Sequence, residues 1–360
     1  MKEATRFVGL DVHAETIAVA VAEPGRGEVR SLGIIPNDVG SVRKLIQKLG
    51  KKDLRVCYEA GPTGFALYWQ LAELGIECDV IAPTLIPKKA GDRIKTDRRD
   101  ALKLARCFRA GDLTAVWVPD QAHEALRDLV RAREAAKYDQ HRARQRQKYV
   151  EWIRTLKYDH VAQQATLVDY LAEVDHAGER ILRLEQAIDD AVKQASPSVR
   201  AVIDGLQALR GVAKLSATTI AVEIGSFSRF ETAKQLMAYC GVVPSEHSSG
   251  NTRRQGVITK TGNAHVRRVL FESAWGCRHR PNLGAALKQR QRGLSTTTNE
   301  IAWKAQHRLY RRYVALTARG KPSAKVLGAI GRELLGFIWA IAVQIEQEHA
   351  AAAKQQKLAA

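Results

Sequence analysis

The sequence predicts a mixed α/β layer over residues 1–120, followed by a chain that is helical almost throughout. Three observations carry this expectation. In the first third, short apolar runs of strand type alternate with runs at helical spacing. From Gln121 to Ser196 there is no proline and a single glycine, Gly178, and the stretch is rich in Ala, Arg, Gln, Glu and Leu. Charge is lopsided as well: 57 Lys and Arg against 38 Asp and Glu give +19 overall, yet residues 1–120 hold 19 basic and 16 acidic side chains.

Element by element, Phe7–Val12, Thr16–Ala22 and Val29–Ile35 are apolar runs separated by a few residues, among them Pro24-Gly25, and they predict an antiparallel meander. Val39–Leu49 places Val39, Val42, Leu45, Ile46 and Leu49 on one helical face and stops at Gly50. Leu54–Tyr58 predicts a fourth strand. Pro62 opens a helix that Gly75 closes, and Cys78–Ala82 predicts a fifth strand. Asp97–Ala110 predicts a helix with Ala101, Leu104, Ala105 and Phe108 on one face. The order β-β-β-α-β-α-β-α is that of a ribonuclease-H-like layer, three meander strands followed by two crossover units.

Residues 121–197 predict long helices forming a hairpin or coiled-coil linker. Arg127, Arg131, Arg133, Lys137, Arg142, Arg144, Arg146 and Lys148 make part of it a basic rod, either a solvated dimerisation spacer or a row of phosphate contacts. Residues 198–348 predict a helical domain. Its opening, LRGVAKLSATTIAVEIG, reads as two helices about a tight turn at Gly211. That is either an ordinary helix turn or a helix-hairpin-helix whose turn amides face a phosphate, with Ala213 where such a hairpin has its second glycine. Further helices are expected at Ala233–Tyr239, His265–Arg278, Ile301–Thr317 and Lys325–Glu346, and residues 349–360 predict a frayed, flexible tail.

Composition narrows the function classes. A hydrophobic content of 45% is enough for real cores. Apolar stretches such as Ile17–Ala22 and Leu334–Val343 fall short of the roughly 20 residues of a membrane span, so no membrane partner is expected. MKEATRFVGLDVH has no signal-peptide pattern, and five cysteines without a C-x-x-C pair fit a reducing cytoplasm rather than a disulfide framework or a zinc site. Between Ser248 and Lys325 there are 17 Lys or Arg and two acids, Glu272 and Glu300. Such a density calls for a polyanion, and nucleic acid is the expected one.

Four carboxylates form the first candidate site. Asp11 ends the first strand in GLDVH and Glu59 ends the fourth in CYEAGP, and these strands are neighbours in a ribonuclease-H-like sheet. Asp97 and Asp100, in KTDRRDA, lie three apart at the start of a helix and share a face. Four convergent acids need a cation between them, and hard oxygen ligands suit Mg²⁺ or Mn²⁺. Two such ions can serve an in-line displacement at phosphorus. An actin-like ATPase also begins with strand-Asp, but it needs a glycine-rich turn where this chain has Val12-His13-Ala14-Glu15-Thr16. The second candidate is PSEHSSG, Pro244–Gly250, expected as a turn between helices and followed by Arg253, Arg254 and Lys260. A serine on a small-residue turn can approach phosphorus closely, given a base or a metal to activate it. Arg267 and Arg268 join these cations as expected phosphate clamps, while His13 and His247 are expected to be structural or phosphate-contacting rather than catalytic.

GLDVH, YEAGPTG, KTDRRDA, LRGVAKLSATTIAVEIG and PSEHSSG with GVITKTGN-x-x-x-R-R together resemble the DEDD-type insertion-sequence transposases, the IS-one-ten family, from about residue 6 to about residue 340. The resemblance implies a RuvC-like N-terminal domain whose acids are Asp11, Glu59, Asp97 and Asp100, binding Mg²⁺. It implies a coiled-coil linker and a C-terminal transposase domain with a catalytic serine. It further implies a recombinase that joins element and target DNA under a noncoding bridge RNA, through a serine–phosphate link, in a dimeric or tetrameric homo-oligomer whose composite site takes acids and serine from different subunits. Counting back from Lys260 selects Ser248, and counting forward from Pro244 selects Ser249. Two rivals remain: a metal-dependent junction nuclease using water as nucleophile, and a non-catalytic nucleic-acid-binding protein.

Overall fold

The computed structural model describes residues 5–25, 27–87, 96–143, 147–159, 161–246, 249, 252 and 254–359, with backbone only at 138–143, 147–149 and 356–359. The chain divides into two compact units, Met1–Val118 and Pro119–Ala360.

The first unit is a five-stranded sheet of β1 (Arg6–Val12), β2 (Thr16–Ala22), β3 (Val29–Pro36), β4 (Leu54–Glu59) and β5 (Glu77–Ile81) in the order β3-β2-β1-β4-β5. The meander is antiparallel, while β4 lies parallel to β1 and β5 parallel to β4. Helices α1 (Val39–Leu49) and α2 (Ala66–Glu73) send Val42, Ile46, Leu67 and Leu71 into one face of the sheet. Asp38 caps α1 by accepting from the Ser41 amide at 2.8 Å.

Helix α3 (Asp97–Ala110) covers the opposite face, and the strands are built for its close approach. In β2, Ile17, Val19 and Val21 face α1 and α2, while the small Ala18, Ala20 and Ala22 face α3 with Ala101 and Ala105. At Gly9 in β1 a Cβ would collide with the Ala105 nitrogen and stand 2.7 Å from the Ala101 carbonyl. The backbone of α3 therefore rests almost on the backbone of β1, which only a residue without a side chain permits.

The second unit begins with α4 (Gln121–Ala143), α5 (Gln147–Thr155) and α6 (Val161–Gln194). Helices α4 and α6 pack on each other, and Arg133 is ion-paired with Glu185 between them. Their bases are not a detached spacer. Leu126, Val130, Ile188 and Val192 belong to the same core as α7 (Pro197–Leu206), α8 (Lys214–Ile224), α10 (Ala264–Ala274), α12 (Thr296–Ala318) and α13 (Ser323–Ala359). Two short helices, α9 (Ala233–Tyr239) and α11 (Ala285–Gln291), complete the set. The rod of basic residues is likewise partly spent inside this unit: Arg131, Arg133 and Lys137 pair with Glu223, Glu185 and Glu272. Arg142, Arg144, Arg146 and Lys148 lie outside the described side chains.

By length and composition α13 could cross a membrane, since an 18-residue window within Ser323–Gln355 reaches a mean hydropathy of 1.7. Its apolar stripe (Ile330, Leu334, Ile338, Ile341 and Ile345) is instead buried against α7, α9, α10 and α12. The helix also runs on through the alanine-rich stretch expected to fray, as far as Ala359, because Ala, Lys and Gln are strong helix formers and no Gly or Pro interrupts them. The turn before α8 needs Gly211 for a packing reason. Its φ is +85°, and a Cβ there would strike the Ser273 carbonyl.

The close approach at Gly9 yields a prediction. Gly9→Val should lower the stability of the first unit by about 1–3 kcal/mol through overpacking, read as a drop in its thermal midpoint. An unchanged midpoint would mean that α3 does not sit on β1 in this way.

Candidate active site

Strand alternation decides where the strand acids point. Leu10 and Tyr58 are buried on the α1–α2 side, whereas Gly9 and Cys57 face α3. Two residues on, Asp11 and Glu59 lie on the α3 side at the ends of β1 and β4, whose register pairs Leu10 with Tyr58. On α3, the cap is Thr96, whose Oγ1 accepts from the Arg99 amide at 3.3 Å. Asp97 is therefore not consumed as a cap, and it and Asp100 occupy the first turn, where the helix dipole favours negative charge.

The structure brings Asp11 and Asp97 together around His13. Its Nε2 lies 3.4 Å from Asp11 Oδ2 and 3.5 Å from Asp97 Oδ1. One ligand atom from each of Asp11, His13 and Asp97 falls within 4.8 Å of the others. Asp11 is the most enclosed of the three, its side chain 15% exposed against 52% for His13 and 51% for Asp97. Burial pushes the Asp11 carboxyl above its ordinary value. His13 opposes this, and the charges of Asp100 and Asp97 add to it. A half-buried carboxylate crowded by two others, with an imidazole beside it, is a donor set that a divalent cation fits. His13, read from sequence as structural or phosphate-contacting, thus stands among the candidate ligands. The only signal it offered was its place two residues after Asp11. Glu59 is exposed at the neighbouring strand end and outside that tight group.

The serine segment is not the simple turn expected between helices. Strands β6 (Pro244–Glu246) and β7 (Gln255–Ile258) form an antiparallel hairpin. Ser249 and Thr252 extend it by exchanging backbone hydrogen bonds of 3.1 Å in both directions. Ser249 is exposed near the tip, and Ser248, His247 and Arg253 lie outside the described residues. Arg254 is exposed on β7's approach, and Lys260 is exposed with φ +56° just past its end.

Arg267 and Arg268, expected as phosphate clamps, are already engaged within the second unit. Arg267 Nη1 donates to the carbonyls of Cys240 (3.0 Å), Thr261 (2.9 Å) and Gly262 (3.2 Å), tying together the two chain segments that flank the hairpin. Arg268 pairs with Glu134 at 2.7 Å and Glu272 at 2.9 Å. His265 Nδ1 meets the other oxygen of Glu134 at 2.7 Å. Nearby, Asn263 caps α10 and donates to Glu223 Oε2 at 2.7 Å, while Arg131 grips Glu223 with two bonds of 2.7 and 2.8 Å. Burial alone would raise the Glu223 carboxyl, but the Arg131 and Asn263 hydrogen bonds outweigh it and hold it below the usual range.

With this geometry in place, comparison with known proteins identifies the lineage. Residues 204–289 match the family described as transposase IS116/IS110/IS902, and residues 8–150 match a transposase family of the DEDD type. This chain belongs to the IS110 family of insertion-sequence transposases. It is 44% identical to a Sinorhizobium fredii protein named as a transposase, y4qE, over 95% of this chain and 89% of that one. It is 30% identical to the transposase for insertion sequence element IS1533 of Leptospira borgpetersenii, over 89% of this chain and 99% of that one. The pilin gene-inverting protein of Moraxella bovis is 28% identical over 58% of this chain and 63% of its own length. The DEDD-type match covers all four acids, and the other covers the serine hairpin and the Glu223–Asn263 link. As a transposase, the chain processes DNA.

Two predictions follow from these groups. A carboxyl raised above 3.8 makes the folded state the better proton binder, so Asp11 subtracts stability as pH climbs past 3.8. Asp11→Asn should therefore raise the thermal midpoint of the metal-free protein at neutral pH. It should also cancel the stabilisation that Mg²⁺ or Mn²⁺ gives the parent, about 2.7 kcal/mol at a hundredfold excess over Kd. Equal ion responses in both proteins would remove Asp11 from the ligand set. Glu223, depressed below 4.5, contributes stability that is complete above pH 4.5 and is lost as pH falls through its lowered value. Glu223→Ala should cost about 3–5 kcal/mol in denaturant titration at pH 7, and a smaller loss at pH 3.

Proposed function

We propose that this transposase excises and inserts its element through a transient serine–DNA phosphoester, in a reaction that requires Mg²⁺ and is guided by a noncoding bridge RNA. The observation that carries the proposal is the gathering of Asp11, His13 and Asp97 about one point beside the end of β1, with the charge of Asp100 near enough to act on Asp11. Asp11, Glu59, Asp97 and Asp100 would hold the ions. Bound there, Mg²⁺ would supply positive charge to a phosphate oxygen and to the departing 3′ oxygen.

The remaining steps belong to the chain itself. Ser248, or Ser249 beside it, attacks phosphorus through Oγ. The bond from phosphorus to the 3′ oxygen breaks, the hydroxyl proton ends on that departing oxygen, and the released strand ends in a 3′-OH. After strand exchange a new 3′-OH attacks the phosphoserine, and the serine regains its proton. One ester replaces another throughout, so no nucleotide hydrolysis is needed. The chain accordingly has no G-x-x-x-x-G-K-[ST] run. Arg253, Arg254 and Lys260 hold the flanking phosphates, and Arg267 keeps the hairpin on its base. We assign the working form to a homo-oligomer, dimer or tetramer, in the cytoplasm, with acids and serine contributed by different subunits.

The test is a trapped adduct. Full-length protein with Mg²⁺, bridge RNA and a nicked element-end DNA should give a denaturant-stable protein–DNA species. Ser248→Ala with Ser249→Ala should abolish both the adduct and cleavage, and Asp11→Ala should abolish both while DNA binding survives. If the double serine variant still cuts DNA and leaves free ends, water is the nucleophile and the serine mechanism fails.

A further inference from the structure

We infer that the outer face of α12 is a stacking platform for unpaired nucleotides, built on Trp303, His307 and Arg311. This rests on the nucleic-acid reading above and deepens it by naming a surface and the chemistry it recognises. The core side of α12 is fully used: Thr298, Ala302, Ala305, Gln306 and Leu309 are buried. Trp303, His307 and Arg311 recur every fourth residue on a different side, so they line one face a turn apart, each step rising about 6 Å.

Trp303 is 41% exposed, so the folded unit leaves part of this large residue uncovered. The His307 ring meets it edge-on, with centroids 4.5 Å apart and planes at 78°, which holds the indole in one orientation. Charge favours a polyanion over any apolar partner. Helix α12 carries Lys304, Arg308, Arg311 and Arg312 against a single acid, Glu300. Glu333 takes Arg308 and Arg312, whereas Lys304 and Arg311 make no ion pair among the described residues. The same unit repeats the chemistry at Trp275, which is 43% exposed with the Arg278 guanidinium 5.4 Å from its ring centre.

Rings flanked by cations suit single strands. Every base has a π-face, so stacking on an indole is tolerant of sequence, while adjacent Lys and Arg meet the backbone. A duplex keeps its bases stacked on each other and offers only edges and phosphates. The platform is therefore selective for unpaired nucleotides, whether in RNA or in a displaced DNA strand.

The experiment uses the full chain and labelled 20-nucleotide probes: U-rich RNA, T-rich DNA and duplex DNA. Trp303→Ala should weaken single-strand binding about 5–150-fold and leave duplex binding within about twofold, while Trp303→Tyr retains most of the parent affinity. Loss on both single strands supports base stacking in general. Loss on RNA alone, or on DNA alone, supports the platform and names its source. Single-strand binding equal to the parent overturns the inference, and so does a parallel loss on duplex DNA. A change in oligomer mass with unchanged nucleic-acid binding also overturns it, making a second copy of the chain the occupant. Should Trp303→Ala fail to fold, Trp303→Leu keeps apolar bulk without a π-face and reports on the same position with the same expected pattern. The probes carry no scissile element end, so failure here is distinct from failure of the serine mechanism.

Discussion

The absence of a side chain at Gly9 is the constraint on which the acid cluster depends. Carboxylates repel, and nothing in their own chemistry would gather Asp11, Asp97 and Asp100. They are held because α3 presses on β1, and it can do so because Gly9 and the alanines of β2 leave room for its backbone. Packing energy from the α3 face, where Leu104 and Phe108 are buried with Ala101 and Ala105, offsets an electrostatic cost set at the helix's first turn. The site is in this sense pre-strained toward a cation. A divalent ion would find the ligands already in place, and its charge would relieve the repulsion that burial makes worse.

The second unit solves a different problem, holding a small polar hairpin on a helical body. Strands of three and four residues have little apolar surface of their own, and Val257 is 74% exposed. The hairpin is instead fixed from below. Gly241 and Gly262 let the two flanking segments touch backbone to backbone, and Arg267 bonds to carbonyls on both. Asn263 then links the end of this loop to the buried Glu223, which Arg131 of α4 also holds. A long helix expected as a spacer is in this way part of the support beneath the serine segment.

The balance between what the sequence disclosed and what it hid has physical reasons. The sheet was legible because its strands are apolar and its helices periodic, and the acids were legible because each sits at an element end within that order. Gly9 was present in GLDVH, but nothing local says that a helix ninety residues away would lie on it. His13 was hidden for the same reason, since its partner Asp97 comes from another element. The fate of Arg268 was hidden as well: its counter-ion Glu134 is 134 residues away, and charge density alone cannot separate a paired arginine from a free one. The hairpin escaped notice because its strands are short, polar and without alternation.

The most direct test of the central claim is a crystal structure of the protein soaked in Mn²⁺, read by anomalous scattering. The account predicts a peak about 2.0–2.4 Å from Asp11 and Asp97 carboxylate oxygens, at the junction of β1 and the first turn of α3. Strong density elsewhere with none at Asp11 would contradict it.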